Sequence, residues 1–197
     1  MDVGAHAGAW TFPLAKAVPS GIVYAFEALP YYATVLKKTA RLLGAKNVQI
    51  INMAVTNECG KAEIAWLDPA GRRLTGLTHI HRGEEPVGAT VSVAATTLDA
   101  MLARHAECVS LLKIDVEGAE MRVLDGASTV IEKSRPVIFC EAREDNLRQY
   151  GSSVDDLIQF AQRLSYNVSA FDGERFLPHV AVPGGAAPPN DLLFTPK

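Results

Sequence analysis

The sequence predicts an α/β fold, a doubly wound, mostly parallel sheet with helices on both faces. Two observations predict it. Short apolar runs rich in β-branched residues recur at 22–26 (IVYAF), 48–52 (VQIIN), 109–114 (VSLLKI) and 136–140 (PVIFC), with stretches of helical period between them. The runs are apolar almost throughout instead of alternating, as strands covered on both faces are. Strands alternating with helices in this way argue for βαβ units. At 197 residues the expectation is one domain over residues 1–197, with enough chain to bury a substantial core.

Each element follows from a local pattern. The opening MDVGAHAGAW reads as the end of a first strand and a glycine turn. Residues 31–44 (YYATVLKKTARLLG) place Tyr32, Val35, Leu36, Leu42 and Leu43 roughly along one side of a helix that Gly44 stops. Residues 119–134 (AEMRVLDGASTVIEKS) do the same with Met121, Leu124, Ala127, Val130 and Ile131, and are expected as one helix ended by Arg135 and Pro136. A third helix over 153–166 starts at a Ser153 cap, with Asp155 and Asp156 where the helix dipole favours anions. Residues 61–97 break the alternation. KAEIAWLD and ATVSVAATTLD flank a polar loop there and predict a β-hairpin-like insertion. Beyond the last helix, YNVSAFDGERFLPHV and NDLLFTPK read as strands around the Gly/Pro-rich PGGAAPPN, which gives the sheet an antiparallel C-terminal strand.

Composition excludes several classes. A net charge of −3 and a pI near 5.9 leave no basic footprint for nucleic acid. No apolar run approaches the roughly 20 residues of a membrane span, and no signal peptide is legible at the N-terminus. Cys59, Cys108 and Cys140 are odd in number and lack C-x-x-C spacing, so a cytoplasmic protein with reduced thiols is expected. His79 and His81 in a Gly/Arg-rich loop read as solvated.

Chemistry in an open α/β sheet belongs in the crevice beyond the carboxyl ends of its strands. The first strand ends at Asp2 to Gly8, the second at Glu27, the third near Asn52, the fourth at Asp115 to Gly118 and the fifth at Glu141. Four of these five ends carry a carboxylate, which single helix caps do not account for. Glu27 falls about 20 residues after the glycine turn, the spacing at which an acid accepts ribose hydroxyls. The turn reads G-A-H-A-G instead of G-x-G-x-x-G, which favours a smaller nucleoside-bearing cofactor over a dinucleotide. Lys113, on the opposite parity from Ile114, is expected to pair with Glu141 or to extend to the sheet's edge. Arg72, Arg73, His79, His81 and Arg82 form a basic loop that reads either as a mobile acceptor-binding lid or as a solvated charge run. Trp10 and Trp66 read as packing residues, Trp66 being the one beside that loop.

The blocks DVGAHAG, VYAFEALP, TTLDAML, LLKIDVEGAEMRVLDGA and RPVIFCEA, in that order and spacing, resemble the FkbM-type S-adenosylmethionine-dependent methyltransferases. The resemblance extends down to the closing NDLLF, with KIDVEGAE followed by VLDGA as its most specific part. It implies a Rossmann-like class I fold and S-adenosyl-L-methionine as cofactor. It also implies that the turn at Asp2, Gly4, Ala5, His6 and Gly8 wraps the methionine part, that Glu27 holds the ribose, and that Asn52 and Met53 meet the adenine. His6 stands where many members carry Asn.

The IDVEGAE block has its own logic. In extended chain Val116 points away, so Asp115 and Glu117 would share a side. Methyl transfer to a hydroxyl needs the acceptor oxygen held near the methyl and its proton removed as attack proceeds. Asp115 and Glu117, with Glu141 as a third, are the candidate catalytic acids, and no metal is assigned. The expected activity is O-methylation of a hydroxyl on a small molecule, polyketide or glycan. Two other classes compete: a nucleotide-dependent oxidoreductase, and a non-catalytic binding protein that retains the fold. The sequence leaves the oligomeric state open. A first strand of only Met1 to Val3 gives the expectation of a truncated N-terminus.

Overall fold

The computed structural model describes residues 1–74, 77–83, 86–103, 108–171, 173–178 and 190–197. All but the last residue of the Gly/Pro-rich segment 183–190 lies outside them. Strands β1 (Asp2–Val3), β2 (Val23–Phe26) and β3 (Val48–Ile51) open the main sheet. Strands β4 (Ala54–Val55), β5 (Gly60–Leu67), β6 (His79–Ile80) and β7 (Ala89–Thr96) form a second, four-stranded sheet. The main sheet is completed by β8 (Leu111–Ile114), β9 (Val137–Glu141), β10 (Tyr166–Phe171), β11 (Phe176–Pro178) and β12 (Asp191–Pro196).

The main sheet runs in the order β11-β10-β12-β9-β8-β1-β2-β3. Its segment from β9 to β3 is parallel throughout, and β12 lies antiparallel between β9 and β10. Val3 of β1 pairs with Phe26 on one side and Ile114 on the other. The chain therefore winds outward from β1 through β2 and β3, then returns to place β8 on the opposite flank of β1. That reversal opens a crevice at the carboxyl ends of β1 and β8. Leu112, Ile114, Ile138 and Phe194 are fully buried, each contributing about 1.5–3 kcal/mol by leaving water.

Helices α1 (Thr11–Ala17) and α2 (Pro30–Leu43) follow β1 and β2. Gly44 ends α2 in the left-handed conformation, its amide donating to the Ala40 and Arg41 carbonyls. Ala33 and Leu36 are the buried residues of α2, whereas Leu42 and Leu43 are exposed, unlike the expected stripe. Helix α3 (Leu98–Leu102) is capped by the Thr97 hydroxyl, which accepts from the Ala100 amide. The helix expected over 119–134 is broken into α4 (Glu120–Asp125) and α5 (Ser128–Ser134). Gly126 marks the break because its Cα packs against the chain: a Cβ there would lie 2.2 Å from the Thr56 carbonyl oxygen. The Asp99 carboxylate then starts α5 by accepting from the Thr129 and Val130 amides. Helices α6 (Glu144–Gln149) and α7 (Val154–Arg163) follow β9. At the start of α7, Ser153 and Asp156 form the reciprocal capping box, as the sequence suggested for Ser153. Among the described residues, no helix is long and apolar enough to cross a membrane.

Candidate active site

The carboxyl ends of β1, β2 and β8 converge on a cavity of about 290 Å³. Gly4, Ala5, His6 and Trp10 line it from the glycine turn, Glu27 and Ala28 from the end of β2, and Met53 and Ala54 from the segment after β3. Asp115, Val116 and Glu117 line it from the end of β8, and Thr78, His79 and Ile80 line it from the side of the second sheet. Of the residues the sequence singled out for cofactor binding, Gly4, Ala5, His6, Glu27 and Met53 therefore reach the cavity. Asp2, Gly8 and Asn52 are not among its lining residues, and each supports a neighbour instead.

Asp2 is fully buried. One of its oxygens accepts the Thr11 hydroxyl at 2.5 Å and the other faces the Lys113 ammonium at 3.3 Å. Asn52 donates its amide to the Glu27 and Ala28 carbonyls, both at 2.8 Å, and so fixes the loop after β2. A Cβ on Gly8 would meet the Phe12 ring at 2.3 Å.

Glu27 is buried, and each of its oxygens already takes a backbone amide, His6 at 2.7 Å and Leu29 at 2.8 Å. It thus ties the glycine turn to the start of α2. Burial holds its carboxyl above the usual range, against the pull of those two amides and of Lys113. His6 has φ 48° and packs against Tyr32, with ring centroids 3.9 Å apart and the rings tilted by 45°. Its Nε2 is buried without a hydrogen-bond partner among the described residues, and burial lowers its pKa.

Asp115, Glu117 and Glu141 bring one carboxylate oxygen each to within 4.8 Å of the others. The grouping expected from the sequence is present, but its geometry differs. The strand ends at Ile114, Glu117 sits at φ 57°, and Val116 also faces the cavity. A turn, not the alternation of extended chain, brings the two acids together. Asn146 donates to Glu117 at 2.8 Å. The buried Glu120 accepts from the Val116 and Gly118 amides, which fixes that turn. Burial and then the Asp115 charge push Glu117 up to about 7, and the same two causes push Glu141 up to about 8. Glu141 Oε2 is buried with no hydrogen-bond partner among the described residues. Oxygens this close are within reach of a metal ion, though an acid cluster by itself assigns none.

Several contributors were missed or misplaced by sequence reasoning. Lys113 neither pairs with Glu141 nor reaches an edge. It is buried in a central strand between Asp2 and Asp115, each at 3.3 Å. The signal was present, because a lysine inside an apolar central strand needs buried partners. Tyr150 was not noticed, yet its hydroxyl donates to the Ile80 carbonyl at 2.6 Å, and Arg82 donates to the Gln149 carbonyl at 2.6 Å. These two bonds fasten β6 to the end of α6. In the basic loop, Arg72 pairs with Asp68 and Arg73 lies over the Tyr31 ring, 4.9 Å from its centre. Trp10 packs on Phe139 with centroids 4.8 Å apart.

The winding of the sheet and the crevice at its reversal define a Rossmann-like α/β protein. The Methyltransferase FkbM domain matches residues 2–168, and the chain belongs to the FkbM methyltransferase family. It superposes on the crystal structure of Methyltransferase FkbM from Methylobacillus flagellatus KT with a TM-score of 0.62 and 16% identity, over 98% of this chain and 42% of that one. The chain thus spans about two-fifths of that protein's length. A looser likeness, with a TM-score of 0.47 and 14% identity, covers 98% of this chain and 75% of a precorrin-6y C5,15-methyltransferase from Geobacter metallireducens GS-15. No curated protein sequence is a significant match.

Proposed function

We propose that the cavity binds S-adenosyl-L-methionine and that the chain catalyses O-methylation of a hydroxyl on a small molecule, polyketide or sugar. Residues 1–197 are read as one methyltransferase domain with an insertion around 61–97. The observation that carries the proposal is a cavity lined by Glu27, Asp115 and Glu117, with Glu141 bringing a carboxylate oxygen within 4.8 Å of the last two. The donor set suits this cofactor. A wall of carboxylates favours a sulfonium cation, and the unpartnered His6 Nε2 offers a buried polar atom to the ligand. Each Glu27 oxygen has a second lone pair left to accept a ribose hydroxyl. Family membership favours this reading over the nucleotide-dependent oxidoreductase.

When bound, the cofactor supplies an electrophilic methyl on a positively charged sulfur. Glu27 orients the nucleoside end while holding the glycine turn through His6. The acids would hold the acceptor hydroxyl and take its proton as its oxygen bonded to the methyl carbon and that carbon's bond to sulfur broke. With Glu117 and Glu141 pushed up to about 7 and 8, the set exchanges a proton near neutral pH, where general-base catalysis is most effective. Thr78, His79 and Ile80 line the cavity from the side of the second sheet, where a bound acceptor would displace water from the reacting centre.

The test is transfer of a radiolabelled methyl from S-adenosylmethionine to a panel of polyols, sugars and hydroxylated polyketides, with Asp115→Asn as control. Label in a hydroxylated product, reduced at least about a hundredfold by Asp115→Asn, is the expected result. Label that enters only amine or thiol acceptors would contradict the O-methyl assignment.

A further inference from the structure

We propose that Lys113 is a positioning residue that clamps the glycine turn to Asp115, and through that clamp tunes the cavity's preference between the cationic cofactor and its neutral demethylated product. The proposal rests on the cofactor reading above. The side chain is 2% exposed in a strand with neighbours on both sides, so its ammonium must find partners inside the protein. The ammonium donates to the Gly4 carbonyl at 3.0 Å and forms ion pairs with two carboxylates, Asp2 at 3.3 Å and Asp115 at 3.3 Å.

The clamp begins where the backbone ladder stops. Up to that point β1 and β8 are joined through main-chain bonds, the Lys113 amide donating to the Met1 carbonyl and the Asp115 amide to the Val3 carbonyl. Past Val3 the chain leaves the sheet, and the Gly4 carbonyl takes the ammonium in place of a strand partner. Asp2, held on its other side by Thr11, anchors the ammonium from beneath. Asp115 is the partly exposed end of the clamp, and it lines the cavity together with Gly4 and Lys113. A single buried cation therefore fixes both the turn and the carboxylate on the cavity wall.

Removing Lys113 alone strips a fully buried carboxylate of its cation and endangers folding. Asp2→Asn combined with Lys113→Met removes one charge of each sign, so net charge is unchanged while the clamp is lost, and Asp2→Asn alone controls for the altered Thr11 contact. The two probes are S-adenosylmethionine and S-adenosylhomocysteine, which differ by the methyl and the positive charge. Calorimetric Kd values for both, with apo melting temperatures, are measured on wild type, the double variant and Asp2→Asn. In the folded double variant, with the ammonium gone from beside Asp115, the preference for S-adenosylmethionine over S-adenosylhomocysteine should rise about tenfold, with Asp2→Asn closer to wild type. A purely structural Lys113 would weaken both ligands equally, and an unchanged ratio in the folded double variant overturns the proposal. If the double variant does not fold, Lys113→Arg reads the clamp, because it keeps the cation and changes its reach. A changed ratio of the two affinities supports the clamp there, and an unchanged ratio overturns it. Wild-type protein that binds neither ligand overturns the cofactor reading and the clamp together, whereas wild-type binding with an unchanged ratio overturns the clamp alone.

Discussion

A Cβ on Gly4 would lie 1.7 Å from the main-chain oxygen of Asp115. The glycine at the head of the turn thus makes room for the neighbouring strand end, not for a ligand. Gly8 does the same for Phe12. The turn and the acid block are one packed unit, with the Lys113 ammonium joining the same two residues.

Gly4→Ala should therefore act on the fold as well as on the site. The residue has φ +80°, which a side chain resists, and the added methyl meets backbone that cannot step aside. Equilibrium denaturation should show a loss of at least about 2 kcal/mol. Stability equal to wild type would mean that β1 and β8 are not packed as described.

Stability should fall as pH rises from about 4.5 to 8. Glu117 and Glu141 ordinarily titrate at 4.5 and are pushed up to about 7 and 8 in the folded protein. Within that window the unfolded chain has released protons that the folded chain still holds, so raising the pH favours unfolding. Their stabilising contribution is complete below 4.5 and is lost as pH passes the folded values, in steps that belong to the interacting set. Melting temperatures across the window should decline, and Glu117→Gln with Glu141→Gln should flatten the decline. Identical slopes in wild type and variant would contradict the assignment. The same ionisation predicts that kcat/KM rises across neutral pH as the acids become able to accept a proton.

Tyr150→Phe should loosen β6 at the side of the cavity. It removes the bond to the Ile80 carbonyl, worth about 1 kcal/mol. Hydrogen exchange at residues 79–82 should accelerate while the main sheet is unaffected. Unchanged exchange there would show that other contacts hold β6 in place.

Trp66 and Arg73 line a second cavity of about 420 Å³ with Tyr31 and Tyr32, and Thr78 lines both cavities. Trp66→Ala and Arg73→Ala should raise the KM of a hydroxylated acceptor about tenfold, through lost stacking and lost charge. Neither should alter the Kd of S-adenosylmethionine. A change in cofactor affinity with acceptor KM unmoved would assign this cavity to the cofactor instead.

The parallel strands were legible because each is a compact apolar run, and β2, β3, β8 and β9 all fall within a residue or two of the expected segments. The break between α4 and α5 was not, since a helical period continues through Gly126 and only contact with Thr56 decides against it. The acids were legible as strand termini. What the sequence did not reveal is how they are used. Asp2 turned out to be a buried anchor for Lys113, and Glu27 to be a brace for His6 and Leu29. Those roles depend on β1 lying between β2 and β8, a non-local pairing that no local pattern encodes. The Tyr150 bond to Ile80 spans 70 residues and was invisible for the same reason.

The most direct test of the account is calorimetry of S-adenosylmethionine binding to wild type and to Glu27→Ala. The cavity reading predicts one site in wild type and a loss of at least about tenfold in the variant, which gives up the ribose acceptor and the brace on His6 together. Wild-type protein that does not bind S-adenosylmethionine would contradict the proposed function outright, and equal binding by both proteins would show that Glu27 does not meet the cofactor.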